Sequence, residues 1–255
     1  MIFWQLLKSD LIILKNKIPG KIIDLLVWAA AVIVIGGYVM QAFGVGRSFG
    51  LFQSAGLIVA CISFELYGNL FELVSDMENT GYMKYLLSLP HGNLKIICTK
   101  VLTYTIHGII SGLIVLPIIK LILLDQFSLL DINYFKFALT IILTSLFFGW
   151  FAIFLACRVR SVDQIRSVQV RIIFPLWFFG CYNFSFKIAY FKVSKVLGLA
   201  CLLSPFTFAT EATRSAILGA ENYLPFWLTM LALLALTGLT ATLGYRGLKK
   251  RLDFV

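Results

Sequence analysis

Charge is scarce in this 255-residue chain: Asp, Glu, Lys and Arg together make up 13% of it, about half the share usual in a soluble globular domain. Hydrophobic residues make up 60% and the mean hydropathy is +0.92, so water is excluded as the main solvent. The sequence also lacks a GxxxxGK[ST] loop, an HExxH or GxSxG motif, and any carboxylate pair with a partner base. Its only histidines are His91 and His107. Enzyme chemistry therefore has no constellation to stand on, and no catalytic residue is assigned. The five cysteines show neither CxxC nor Cys/His spacing. They read as small buried hydrophobes, with no disulfide frame and no metal site.

What the chain has instead is long apolar runs. At about 20 residues per crossing, its length accommodates about six spans and leaves no room for a separate soluble domain of roughly 100 residues. The expected fold class is all-α integral membrane, as a single domain over residues 1–255. Spans are expected at 22–42, 50–71, 96–124, 137–156, 170–186 and 224–243. Residues 1–20 carry apolar positions at helical spacing with lysines between them, the pattern of an interfacial amphipathic helix, ended by Pro19-Gly20. Pro117 points to a kink in the third span. Between spans five and six, residues 187–220 hold short apolar pieces cut by Ser204-Pro205, which reads as a re-entrant outer-leaflet helical hairpin.

The net charge of +10 is read by position, not as a nucleic-acid footprint. With both termini inside, the inner segments hold more than twice as many Lys and Arg as the outer ones, among which Arg214 is counted. This asymmetry places both ends in the cytoplasm. A seventh span through residues 196–216 would put the basic tail outside and is rejected on that ground.

Three groups of residues could carry function. The inner loop 75–93 contains Thr80 as a candidate helix cap, then Tyr82, Met83, Tyr85, Leu86 and Leu89 as an apolar and aromatic knob that Pro90 stops. Such a helix suits either docking in a partner's groove or capping the bundle at the membrane surface. In the second span Ser54, Cys61, Glu65, Asn69, Glu72 and Asp76 share a face, matched on the third by Lys100, Thr103, His107 and Ser111. A carboxylate at membrane depth costs roughly 2.5–3.5 kcal/mol and needs a partner, so these stripes either line a pathway or pair helices. The third group is the aromatic crowd around Trp177, Phe178 and Tyr182, which suits packing or the guidance of an amphiphilic substrate.

Two motifs carry a resemblance. The stretch DMENTGYMKYLLSLPHGNLKIICTKVL, from Asp76 to Leu102, resembles the acidic, Gly/Thr-containing segment leading into LLxxP in the type-2 ABC exporter permeases. SPFTFATEATRSAILG, from Ser204 to Gly219, resembles that family's NPxxYxxExxRxxxLG signature, with Ser204 in place of Asn and the order Thr80-Gly81 reversed from Gly-Thr. The resemblance implies a permease subunit without a cofactor of its own, paired with a second, identical permease and two copies of an ATPase that binds ATP and Mg. It further implies a bacterial inner membrane, a coupling helix spanning Thr80 to Pro90, and an amphiphilic, drug-like, lipid or lipid-linked substrate. Two other classes remain open: a proton-coupled secondary transporter using Glu65, Glu72 and His107, and a non-transporting assembly factor with the same fold.

Overall fold

The computed structural model describes all residues except 1, 89–92, 125 and 253–255. It is all-helical among the described residues. Helix α1 covers Ile2–Val34 and continues through a π turn, Ile35–Val39, into Met40–Ala42. Helix α2 is Ser48–Ser75 with a π turn at Asp76–Thr80, and the short α3 is Tyr82–Ser88. Helices α4 (Asn93–Ile122) and α5 (Tyr134–Ala156) follow. Helix α6 joins Asp163–Val168, a π turn at Gln169–Ile173, and Phe174–Phe178. A π turn at Ile188–Val193 then leads to α7 (Lys195–Leu202), α8 (Pro205–Ile217) and α9 (Phe226–Leu252).

Five of these are long and apolar enough to cross a membrane, a sixth being possible if α7 and α8 count as one bent span. The structure thus has the all-α membrane architecture expected, with three local corrections. First, Pro19 does not end the N-terminal helix: residues Phe3–Ala42 form one helix of 40 residues, about 60 Å long at about 1.5 Å per residue, against a hydrocarbon core of about 30 Å. Pro19 costs one backbone bond there, and Gly20 has open space around it. Second, α4, which contains Pro117, ends at Ile122, two residues before the expected limit. Third, the fifth apolar segment is helical only to Phe178, in consecutive pieces of six, five and five residues. Its helical part is about 24 Å long, shorter than the other expected spans.

The hairpin region has a physical basis. Helices α7 and α8 meet at a bend of 94°, where Ser204 is extended and Pro205 opens the next helix. Helix α8 is rich in Thr, Ser and Ala, yet nearly all of it is buried against α2, α5 and α9. Its hydroxyls make burial affordable: Thr210 and Thr213 donate to the carbonyls of Phe206 and Ala209 one turn back. Ser204, Thr207 and Thr210 also donate to the carbonyls of Leu176, Phe179 and Gly180, stitching α8 to the end of α6. Gly180 has to be glycine, because a Cβ would sit 2.4 Å from that of Phe206.

Helix α2 is the most enclosed span, packed between α4, α5, α8 and α1. Its start crosses the π turn of α1 so closely that a Cβ on Gly50 would come within 2.6 Å of the Gly37 Cα. The outward faces of α1 and α9 stay apolar and exposed, as in Ile23, Val27, Leu231 and Leu239, which is what lipid-facing surfaces require.

Candidate functional site

The segment between α2 and α4 is built from Asp76. Thr80 does not cap α3; it lies in the π turn, and its hydroxyl donates to the Asp76 carboxylate. The cap is Asp76 itself, which accepts from the backbone N–H of Tyr82 (3.1 Å) and Met83 (2.7 Å). Gly81, at φ +65°, makes the reversal that lets a carboxylate six residues upstream reach these donors. An N-terminal carboxylate also suits the positive end of a helix.

The expected knob divides into two faces. Met83 and Leu86 are buried in the main core, at 1% and 4% exposure, whereas Tyr82 and Tyr85 stand out at 44% and 62%. The Tyr82 ring lies 5.9 Å from the Lys100 ammonium. Leu89 and Pro90 lie outside the described residues.

The polar stripes meet as pairs between α1, α2 and α4. Lys17 pairs with Glu72 at 3.0 Å and Lys100 with Asp10 at 3.0 Å, while Thr103 also donates to Asp10. Glu65 is held from two sides, by the Lys21 ammonium and by the Ser111 hydroxyl at 2.6 Å. His107 Nδ1 donates to Asn69 Oδ1 at 3.2 Å, and its Nε2 has no partner among the described residues. The α1 partners, Asp10, Lys17 and Lys21, sit on the part of the chain that sequence reasoning placed on the membrane surface or at the edge of the first span. A cavity of about 190 Å³ opens beside this seam and beneath α3, walled by Asp10, Lys17, Glu72, Asp76, Lys100 and His107 among others.

The largest departure from the sequence reading is on the other side. Arg214, counted above as an outer surface charge, is fully buried. Its guanidinium donates to the carbonyls of Cys181 (2.6 Å), Tyr182 (2.6 Å), Phe184 (3.3 Å) and Phe52 (3.3 Å), and it stacks 3.6 Å from the Phe52 ring. Glu211, equally buried, lies 3.7 Å from Arg214 and accepts from the N–H groups of Phe186 and Leu224. The pair therefore ties the turn after α6, the hairpin, the approach to α9 and α2 to one point. Gly56 leaves the room, since a Cβ there would come within 3.0 Å of the Arg214 Nη2. The ExxR spacing inside an otherwise uncharged helix was the available signal.

Of the aromatic group, Trp177 packs 4.9 Å from both Phe178 and Tyr182. Tyr182 is buried and Phe178 is half-exposed. Among the described residues no three His, Cys, Asp or Glu side chains gather closely enough to hold a metal ion. Cys157, just past α5, donates to the Gly244 carbonyl, and burial pushes its thiol up to about 11, so it stays neutral at ordinary pH.

The chain is a helical membrane bundle with a capped helix between its second and third spans and a bent hairpin before its last. The family model for the ABC-2 type transporter matches residues 15–218, and the chain belongs to that family. No curated protein matches the sequence. The protein is thus an integral membrane permease of the ABC-2 type, a transport protein.

Proposed function

We propose that two copies of this chain form an export pathway driven by a separate ATPase, also in two copies, which holds the ATP and Mg and docks on α3. The substrate is amphiphilic, drug-like, lipid or lipid-linked, because the spans offer paired charges and few free ones to coordinate a small ion. Both termini and α3 face the cytoplasm, and a bacterial inner membrane is the setting. The observation that carries the reading is the division of α3: one face is packed into the bundle, and Tyr82 and Tyr85 project from the other with Asp76 fixing the helix start. A helix rooted on one face and aromatic on the other can transmit a rigid-body push to α2 and α4, which it joins.

The proton-relay alternative draws on the unpartnered Nε2 of His107 alone, since Glu65 and Glu72 are each engaged by a lysine. An assembly factor with this fold would bind the ATPase and move nothing.

The test is co-expression with the candidate ATPase, purification into nanodiscs, and comparison of ATP turnover, co-purification and substrate flux for the native chain and Tyr82→Ala/Tyr85→Ala. Retained folding with lost coupling supports the exporter. An ATPase that binds neither form rules it out, and ATPase binding without flux of any amphiphile favours the assembly factor.

A further inference from the structure

The ends of α5 and α9 border a second, open cavity of about 470 Å³, lined by Cys157, Arg158, Arg160, Gly247, Lys250 and Arg251. Its charged lining is four cations. Among the described residues the molecule's ion pairs engage Lys17 with Glu72, Lys21 with Glu65, Lys100 with Asp10 and Arg214 with Glu211, four of its 22 Lys and Arg. Here, among the described residues, none of the cavity's four cations forms an ion pair.

Two of the cations, Arg251 and Arg158, are also set in place. Arg251 donates to the carbonyls of Ala156, Val159 and Arg160, which folds the loop after α5 around it. Arg158 donates to the Phe154 carbonyl at 3.0 Å, with its guanidinium 3.7 Å from the Phe154 ring. A guanidinium has five N–H donors, so each keeps some for a ligand. Holding like charges around one concavity costs repulsion that a bound anion removes, and fixed guanidinium forks match phosphate oxygens.

We propose that this cavity is a binding site for a phosphate-bearing anion. The headgroup of an anionic phospholipid is the source that its position favours. The cavity lies where two spans leave the apolar zone, and Leu239 and Leu243 stay exposed on α9 within three turns of it, offering acyl chains a path. Basic pockets between spans on the cytoplasmic side are where such headgroups settle. The site also touches the coupling machinery: Glu78, in the π turn before α3, accepts from the Val162 N–H at 2.8 Å, so the loop that carries Arg158 and Arg160 is fastened to the segment leading into α3. An anion that orders this loop orders that fastening.

The test uses the full chain, delipidated in a neutral detergent, with native mass spectrometry reading the binding of short-chain phosphatidylglycerol, phosphatidylcholine of the same chain length, and inorganic phosphate. Two triple variants carry the same loss of charge: Arg158→Gln/Arg160→Gln/Lys250→Gln inside the cavity, and Arg166→Gln/Arg246→Gln/Lys249→Gln outside it. Arg251 is left native because it holds the loop. Phosphatidylglycerol is expected to bind the native chain and the outer triple alike, and to lose on the order of a hundredfold with the inner triple. Lys250→Gln alone, on an exposed helical surface, should weaken it by about fivefold, which keeps the test available should the triple misfold. Displacement by millimolar inorganic phosphate would make free phosphate the source with the cavity still the binder. Equal binding of the two lipids, or equal loss in both triples, overturns the proposal in favour of diffuse surface charge.

Discussion

The backbone N–H of Met83 donates to the carboxylate of Asp76, seven residues earlier, at 2.7 Å. That bond sets where α3 begins, and with Tyr82 making the same donation to the other carboxylate oxygen, one side chain satisfies two orphan donors of a seven-residue helix. A helix this short has little stability of its own. Asp76→Ala should therefore cost about 1 kcal/mol of local stability, read as roughly fivefold faster amide exchange across residues 82–88 with little change in overall melting. Asp76→Asn, which keeps one acceptor, should fall between. Unchanged exchange in Asp76→Ala would show that packing of Met83 and Leu86 alone holds the helix.

The two faces of α3 make opposite predictions. Tyr85 is the more exposed aromatic and Leu86 is buried in the main core. Tyr85→Ala should leave the melting temperature within a degree or two and reduce ATPase co-purification. Leu86→Ala removes buried methyl groups and should cost about 2–4 kcal/mol of stability, lowering the yield of folded protein before coupling can be measured. Thermal unfolding beside co-purification separates them. A Tyr85→Ala variant as unstable as Leu86→Ala would mean that the exposed face packs against something within the permease.

Much of this architecture is legible in the sequence because lipid imposes one rule: apolar runs of sufficient length become helices. The spans around α2, α4, α5 and α9 follow from it directly. The run through Pro19 does not, because a proline near the polar end of a long helix loses one hydrogen bond there and is offset by pairs such as Lys17–Glu72 and Lys21–Glu65, made with another helix. The polar stripes were legible as faces, though their partners on α1 were not, since spacing along one helix says nothing of what lies opposite. The Thr80 reading failed for a local reason: a π turn and a left-handed Gly81 bring Asp76 round to the helix start, and residue preference at the position before a helix gives no sign of such a return. Arg214 looked like surface charge because basic residues outside spans usually are; the Glu211-x-x-Arg214 spacing marks a pair, and the convergence of four carbonyls in the structure shows that it is buried.

The Glu65 cluster distinguishes structural pairing from proton transfer. Glu65 accepts from Ser111 and pairs with Lys21, while His107 is bonded to Asn69 through one nitrogen. With pairing as the role, Glu65→Gln keeps the Ser111 bond and should retain most substrate flux at a modest cost in stability. Glu65→Leu strands Lys21 and Ser111 and should cost about 2–4 kcal/mol. Flux should also survive His107→Gln and be independent of an imposed pH gradient in ATP-supplied vesicles. Flux that collapses in Glu65→Gln while the protein stays folded, and that follows the gradient, would move the reading to proton coupling.

The buried Arg214 is the strongest single anchor on the hairpin side. Its removal leaves the carbonyls of Cys181, Tyr182, Phe184 and Phe52 short of a donor and leaves Glu211 as a buried charge without its cation. Breaking a buried pair from one side costs about 3–5 kcal/mol, so Arg214→Met should prevent accumulation of folded protein or lower its melting temperature steeply. Arg214→Lys keeps the charge but offers three donors from one point and cannot both stack on Phe52 and span four carbonyls; it should recover only part of the loss. Glu211→Gln keeps an acceptor for one of the Phe186 and Leu224 N–H groups, turns an NH2 toward the other, and should still be milder than Arg214→Met because no buried charge is stranded without a hydrogen-bonded partner shell. Because these groups act on the same cluster, the double variant Glu211→Gln/Arg214→Met should be close to the worse single variant, not their sum. Thermal unfolding of all four in one detergent checks the order. An Arg214→Met variant that melts with the native protein would mean that the hairpin is held by the Ser204, Thr207 and Thr210 hydroxyls, and that the ion pair is dispensable.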